Sequence, residues 1–120
     1  STPVQGAAAE LIEKGAAIRA QILERVRRNL ASLRTIAAGF PAVEVLRVEG
    51  GWTAVIKVPQ LRTEEELVLE LIEHDDVIVH PGYFFDFPSE AFVVVSLLVE
   101  PGPFKTAVTK VLTRAVGGAR

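Results

Sequence analysis

At 120 residues the chain can build one hydrophobic core and is too short for two ordinary domains. Apolar residues make up 49% and charged residues 23%, the balance of a globular domain rather than of a disordered segment. A formal net charge of −2 gives no overall attraction to nucleic acid or to an acidic membrane surface, and the lack of cysteine removes disulfides, thiolate chemistry and cysteine-ligated metals.

A cysteine-free chain suits a reducing cytoplasm, which is the expected setting. No apolar run reaches the roughly 20 residues that span a bilayer, so no membrane role is expected. The chain opens at Ser1-Thr2-Pro3 and contains no methionine, and it reads as a piece cut from something longer.

The first 38 residues predict helix. Thr2 is placed to cap it and Pro3 to occupy its first turn. Ala7, Leu11 and Ile12 form a short apolar stripe, and Gly15 is the expected bend between two helices. Beyond it Ile18, Ile22, Val26, Leu30, Leu33 and Ala37 recur at three- and four-residue steps, the pattern of one buried face. Gly39 and Pro41 end the helix. Its length exceeds the ordinary ~11–12 residues, as in a helix that bridges two bodies.

Val43 to Val48 and Trp52 to Val58 are rich in β-branched residues and flank Glu49-Gly50-Gly51, which predicts an antiparallel hairpin. Thr63-Glu64-Glu65-Glu66 is a capping box opening a short helix with Leu67, Val68, Leu71 and Ile72 inward. Val77 to Val79 predicts a short strand leading into the loop His80 to Pro88. Ala91 to Val99 is almost wholly apolar, as in a strand covered on both faces. Pro103 is expected to start a last helix with Phe104, Val108, Val111, Leu112 and Ala115 inward, stopped by Gly117. The fold class is α+β: a small, mostly antiparallel sheet packed with helices, preceded by a long helix.

Few residues suggest chemistry. His74 ends the middle helix, where a cation complements the carbonyl ends, and that structural role is preferred. His80, with Tyr83 and Asp86 near it in sequence, is the general-base candidate, again with a structural role preferred. The two histidines lack the spacing of a metal site. Arg19, Arg25, Arg27, Arg28 and Arg34 are interleaved with glutamates and have no aromatic among them, so a solvated or subunit-facing side is read rather than a nucleic-acid surface. Glu64 to Glu66 lie in a first helical turn, where negative charge is favourable without any catalytic task. Tyr83, Phe84, Phe85 and Phe87 crowd one loop. Loops avoid that much exposed apolar area, so this one either tucks into its own core or covers something outside the chain. From the residues alone both remain open.

Taken in series, five segments resemble the class I/II, aspartate-aminotransferase-type (fold type I) aminotransferases that use pyridoxal phosphate. Ser1 to Gln5 resembles the start of the helix that leaves their large domain, and the helix through Asn29 resembles their interdomain helix. Glu49-Gly50-Gly51-Trp52 resembles the turn opening their small-domain hairpin. Val77 to Phe85 resembles their strand and Pro-Gly loop beside the substrate, and Ala91 to Ser96 the strand that follows. The resemblance implies a C-terminal small domain, with residues 1–14 a remnant of the large-domain helix and 15–120 the domain proper. It implies a homodimeric parent that passes an amino group from an amino acid or amine to a 2-oxo acid. The Schiff-base lysine and the aspartate on the pyridinium nitrogen would belong to the missing large domain, so no pyridoxal phosphate and no transamination are expected of this fragment alone. Trp52, Tyr83, Phe84 and Phe85 are the implied substrate-side walls, although core packing accounts for Trp52 equally well. Where the family commonly carries a carboxylate-gripping arginine, two residues before the strand's serine, this chain has Val94. The competing reading is a small regulatory, amino-acid-binding or dimerisation module.

Overall fold

The computed structural model describes residues 2–48, 51–82 and 91–117, with side chains in the first helix from residue 8 onward. Helix α1 runs unbroken from Thr2 to Ala37, 36 residues or about 54 Å at 1.5 Å per residue. It accounts for most of the 64 Å long axis of a molecule 27 Å across. Gly15 does not bend the chain into two helices. A lone glycine costs about 1 kcal/mol against alanine but keeps its backbone N–H, and its flanks are rich in good helix formers. Thr2 lies inside the helix rather than capping it.

The expected apolar face of α1 is real, but the body covers only its later half. Val26, Asn29 and Leu33 are buried, with Leu30, Ile36 and Ala37 packed beside them. Upstream the same stripe is bare: Ile18 is 55% exposed, and Leu11, Ile12, Ile22 and Leu23 are exposed with it. The body therefore begins near residue 25.

Strands β1 (Glu44–Val45) and β2 (Thr53–Lys57) form the expected hairpin, with Glu44 opposite Lys57 and Val45 opposite Ile56. Thr63 caps α2 (Glu64–Glu70), accepting the Glu66 N–H on its hydroxyl at 3.1 Å. A π-helical turn, Leu71–Asp75, follows. Its wider i→i+5 spacing breaks the expected face: Leu67 and Leu71 are buried, while Ile72 turns out to solvent. Asp76 ends the turn at φ 56°, and the Val77 N–H returns to the Leu71 carbonyl at 3.0 Å.

Strand β3 is His80–Pro81, three residues later than the apolar triplet predicts. Val77 and Val79 are buried and Ile78 is exposed, so the triplet alternates as a strand does without being assigned to the ladder. Pro81 donates no N–H and is tolerated because β3 is an edge strand. Strand β4 (Phe92–Ser96) lies between β2 and β3, and the four-stranded order β1-β2-β4-β3 is antiparallel at every pairing. Val93, Val94 and Val95 are buried in succession, so the middle of β4 is covered on both faces as expected.

Helix α3 (Pro101–Val116) begins at Pro101, two residues earlier than expected, with Glu100 as its N-cap. Its five predicted inward residues are all buried. They join Val26 and Leu33 of α1 and Ala54, Ile56, Val93 and Val95 of the sheet in one core.

Buried polar groups tie these layers together. Asn29 donates from Nδ2 to the carbonyls of Leu97 (2.8 Å) and Val99 (2.6 Å), linking α1 to the chain leaving β4. Arg62, its side chain only 3% exposed, donates from Nη1 to the Arg114 carbonyl at 3.1 Å and lies 3.2 Å from the Glu70 carboxylate. Arg114 grips Asp75 with two bonds, Nε to Oδ2 at 2.8 Å and Nη2 to Oδ1 at 3.2 Å.

Two outcomes follow for stability. Asn29→Ala is expected to cost about 2 kcal/mol in urea unfolding, from two hydrogen bonds lost at about 1 kcal/mol each, and Asn29→Asp at least as much because a carboxylate would face two carbonyls. Hydrogen bonds from Arg114 hold the Asp75 carboxyl below its ordinary range against the opposing effect of burial, with Lys110 and His74 adding to the lowering. The pair's contribution is therefore full above the unfolded carboxyl's value of about 4 and is lost as pH falls through the lowered folded value. Asp75→Asn should remove that part of the acid limb in a stability–pH profile.

Candidate functional site

The pleat sends alternate residues of each strand to opposite faces. Ala54, Ile56, Val93 and Val95 turn toward the helices. Thr53, Val55 and Lys57 of β2 and Phe92, Val94 and Ser96 of β4 share the outer face, in register as Thr53 with Ser96, Val55 with Val94 and Lys57 with Phe92. His80 lies opposite Val94 from the other side. The outer face thus has an apolar centre, Val55 beside Val94, with hydroxyls at one end and Lys57 at the other. Val94 is 1% exposed. Beyond Lys57, an open hollow of about 480 Å³ is lined by Glu44, Gln60, Ala91 and the turn at Pro41 and Ala42.

Trp52 enters β2 at the hydroxyl end, where its carbonyl accepts the Leu97 N–H at 2.7 Å. Its side chain is 57% exposed. That overturns the core-packing account of this residue and leaves the indole available to something outside the chain. Tyr83, Phe84 and Phe85, with Asp86, lie outside the described residues. His80 is exposed beside them in sequence, and His74 is exposed in the π-helical turn. All five arginines of the α1 series are exposed, with Arg25 donating to the Leu98 carbonyl at 3.3 Å. Among the described residues no group of His, Cys, Asp and Glu could hold a metal ion, and no helix is long and apolar enough to cross a membrane.

No family profile and no curated protein matches this sequence. Solved structures do match its fold. A pyridoxal-phosphate-bound protein of Clostridium difficile 630, described as an aminotransferase, overlays at a TM-score of 0.73 with 18% identity, over 86% of this chain and 27% of its own. LysN, an α-aminoadipate aminotransferase of Thermus thermophilus, overlays at 0.69 with 20% identity, over 90% of this chain and 29% of its own. The aspartate aminotransferase of Thermotoga maritima overlays at 0.63 with 18% identity, over 81% and 24%. The chain carries the small-domain fold of fold type I aminotransferases. It spans about a quarter of the length of the structures it matches.

Lys14, Lys57, Lys105 and Lys110 are all exposed, and none has the desolvated setting that makes a lysine a nucleophile. Sequence reasoning missed two buried polar residues, one at each end of β4. Asn29 reads only as part of a helix, and Glu64 only as one acid of a capping box. For Glu64 the available signal was a glycine, Gly82, two residues after His80, whose tight surroundings no single sequence discloses.

Because Trp52 is the chain's single tryptophan, its setting can be measured directly. Its emission should lie near that of indole in water and be readily quenched by acrylamide. Trp52→Ala should shift stability by no more than about 0.5 kcal/mol, as at an ordinary surface site.

Proposed function

We propose that this chain is the C-terminal small domain of a pyridoxal-phosphate-dependent aminotransferase. The parent passes an amino group from an amino acid or amine to a 2-oxo acid and works as a homodimer. The observation that carries the reading is the overlay on the Clostridium difficile aminotransferase, which takes in 86% of this chain but only 27% of that one. Pyridoxal phosphate supplies the electron sink of such chemistry and would be held by the missing large domain. Residues 1–14 belong with that domain and 15–120 form the small domain, with α1 running rigidly across the boundary. The bare stripe from Leu11 to Leu23 is the surface the large domain covers.

This chain's own part is to wall the substrate. Trp52 offers an exposed indole at one end of the outer face, and Tyr83, Phe84 and Phe85 follow β3 in sequence. Val94 supplies no charge where a guanidinium would grip a carboxylate. The parent therefore takes an amine that lacks the α-carboxylate, or holds that carboxylate with another group.

The 120 residues alone, given the coenzyme, should form no stable coloured adduct and exchange no amino groups; turnover by the isolated chain would refute the assignment. The full-length protein should transfer amino groups, and Trp52→Ala there should raise KM for the donor. A charge-assisted hydrogen bond contributes about 1.5–3 kcal/mol, so without one kcat/KM for an α-amino acid and for its decarboxylated amine should differ by less than roughly tenfold. A hundredfold preference for the amino acid would mean that another cation has taken over the grip.

A further inference from the structure

Glu64 is a buried carboxylate for which helix capping gives no account. It opens α2 beside Thr63 yet is only 2% exposed. An acid serving the helix dipole alone can stay in water, as Glu65 and Glu66 do. Burying one is costly unless strong donors meet it. Glu64 Oε2 accepts the N–H of Phe92, the first residue of β4, at 2.7 Å, a charge-assisted length.

Two further observations bear on the same junction between β3 and β4. A Cβ placed on Gly82, the residue after β3, would stand 2.8 Å from Glu64 Oε2 and 2.7 Å from the Phe92 Cβ, so the three approach because Gly82 has no side chain. Ala91, just before Phe92, has φ 89°, a left-handed value that costs a non-glycine residue on the order of 1–2 kcal/mol. It is buried, and its carbonyl accepts the Val58 N–H at 2.8 Å. Backbone of that kind persists where its surroundings hold it from several sides.

We propose that Glu64 is a positioning residue: its buried carboxylate fixes the end of β3 at Gly82 against the start of β4 at Phe92, and so sets the outer-face row Phe92, Val94 and Ser96 relative to His80. On the aminotransferase reading, which this extension rests on, this outer face borders the substrate through its accessible residues, with Val94 covered at its centre, and Glu64 acts on binding of the amino donor without touching it.

Amide hydrogen exchange on the 120-residue chain tests the clasp. In Glu64→Ala the Phe92 amide should exchange roughly ten- to hundredfold faster, the loss expected for a hydrogen bond to a charged group, while Val95 and Leu97 keep their protection. Glu64→Gln, whose side-chain carbonyl still accepts, should recover most of the protection at Phe92. Unchanged exchange at Phe92 in the alanine variant would overturn the proposal, as would an equal loss all along β4. Should the alanine variant not fold, Glu64→Met, which keeps the packing volume and removes the acceptor, decides in its place: acceleration confined to Phe92 supports the clasp, and no change or a uniform change refutes it. In the full-length protein Glu64→Ala should raise KM for the amino donor severalfold with kcat within about twofold, and Glu64→Gln should restore it. A fall in kcat at constant KM would sink the positioning role. A full-length protein that transfers no amino groups would sink the aminotransferase reading, while the exchange result would still judge Glu64.

Discussion

Strand β4 sets the terms for everything around it. Its three central valines are buried in succession, which requires cover on both faces of the sheet, and while β2 pairs its whole length, β3 on its other edge is only two residues long and leaves part of that edge without a strand partner. Backbone groups past the ends of such a strand must find partners or remain unsatisfied in the core. Buried side chains supply them. Glu64 takes the N–H of Phe92 at the entrance, and Asn29 gives its amide hydrogens to Leu97 and Val99 at the exit. Trp52 completes the exit with its own carbonyl. The strand is thus tied at both ends by polar groups that come from helices.

These ties explain why the helices sit where they do. Asn29 falls on the same face of α1 as Val26 and Leu33, so hydrogen bonding and apolar burial dock that helix in one register. Helix α3 then closes the core from Phe104 to Ala115, and the Arg114–Asp75 pair joins its last turn to the end of the π-helical turn. What the core does not use is the first half of α1, whose apolar face continues past the body into solvent. On the proposed reading this stripe, buried at one end and bare at the other, is the surface a second body covers; the fold accounts for about a quarter of its structural relatives.

The outer face of the sheet carries the functional reading through what it contains and what it omits. Its centre is apolar, its cation stands at one end, and its tryptophan is out of the core. Among the described residues of that face there is no paired acid and base. On the proposed reading this face is a wall, which needs shape and exclusion of water rather than reactive groups.

Much of this was readable from residue order. Periodicity located the inward residues of α3 one for one, the glycine-bearing hairpin, the Thr63 cap and the doubly covered strand, because each depends on contacts within a few residues or on hydrophobicity alone. The resemblance to aminotransferases, spread over five weak segments in order, pointed to the fold that the overlays show. What the amino-acid order could not express was decided by distant pairs. The straightness of α1 through Gly15 and the outward turn of Ile72 depend on how each helix lies against its neighbours. The displacement of β3 to His80–Pro81 depends on the ladder with β4, and the exposure of Trp52 on where the core stops. The burial of Glu64 arises from groups 18 and 28 residues away meeting at one oxygen. Hydrophobic patterning acts locally and is written along the chain. The partner of a buried polar group is chosen only when the layers close.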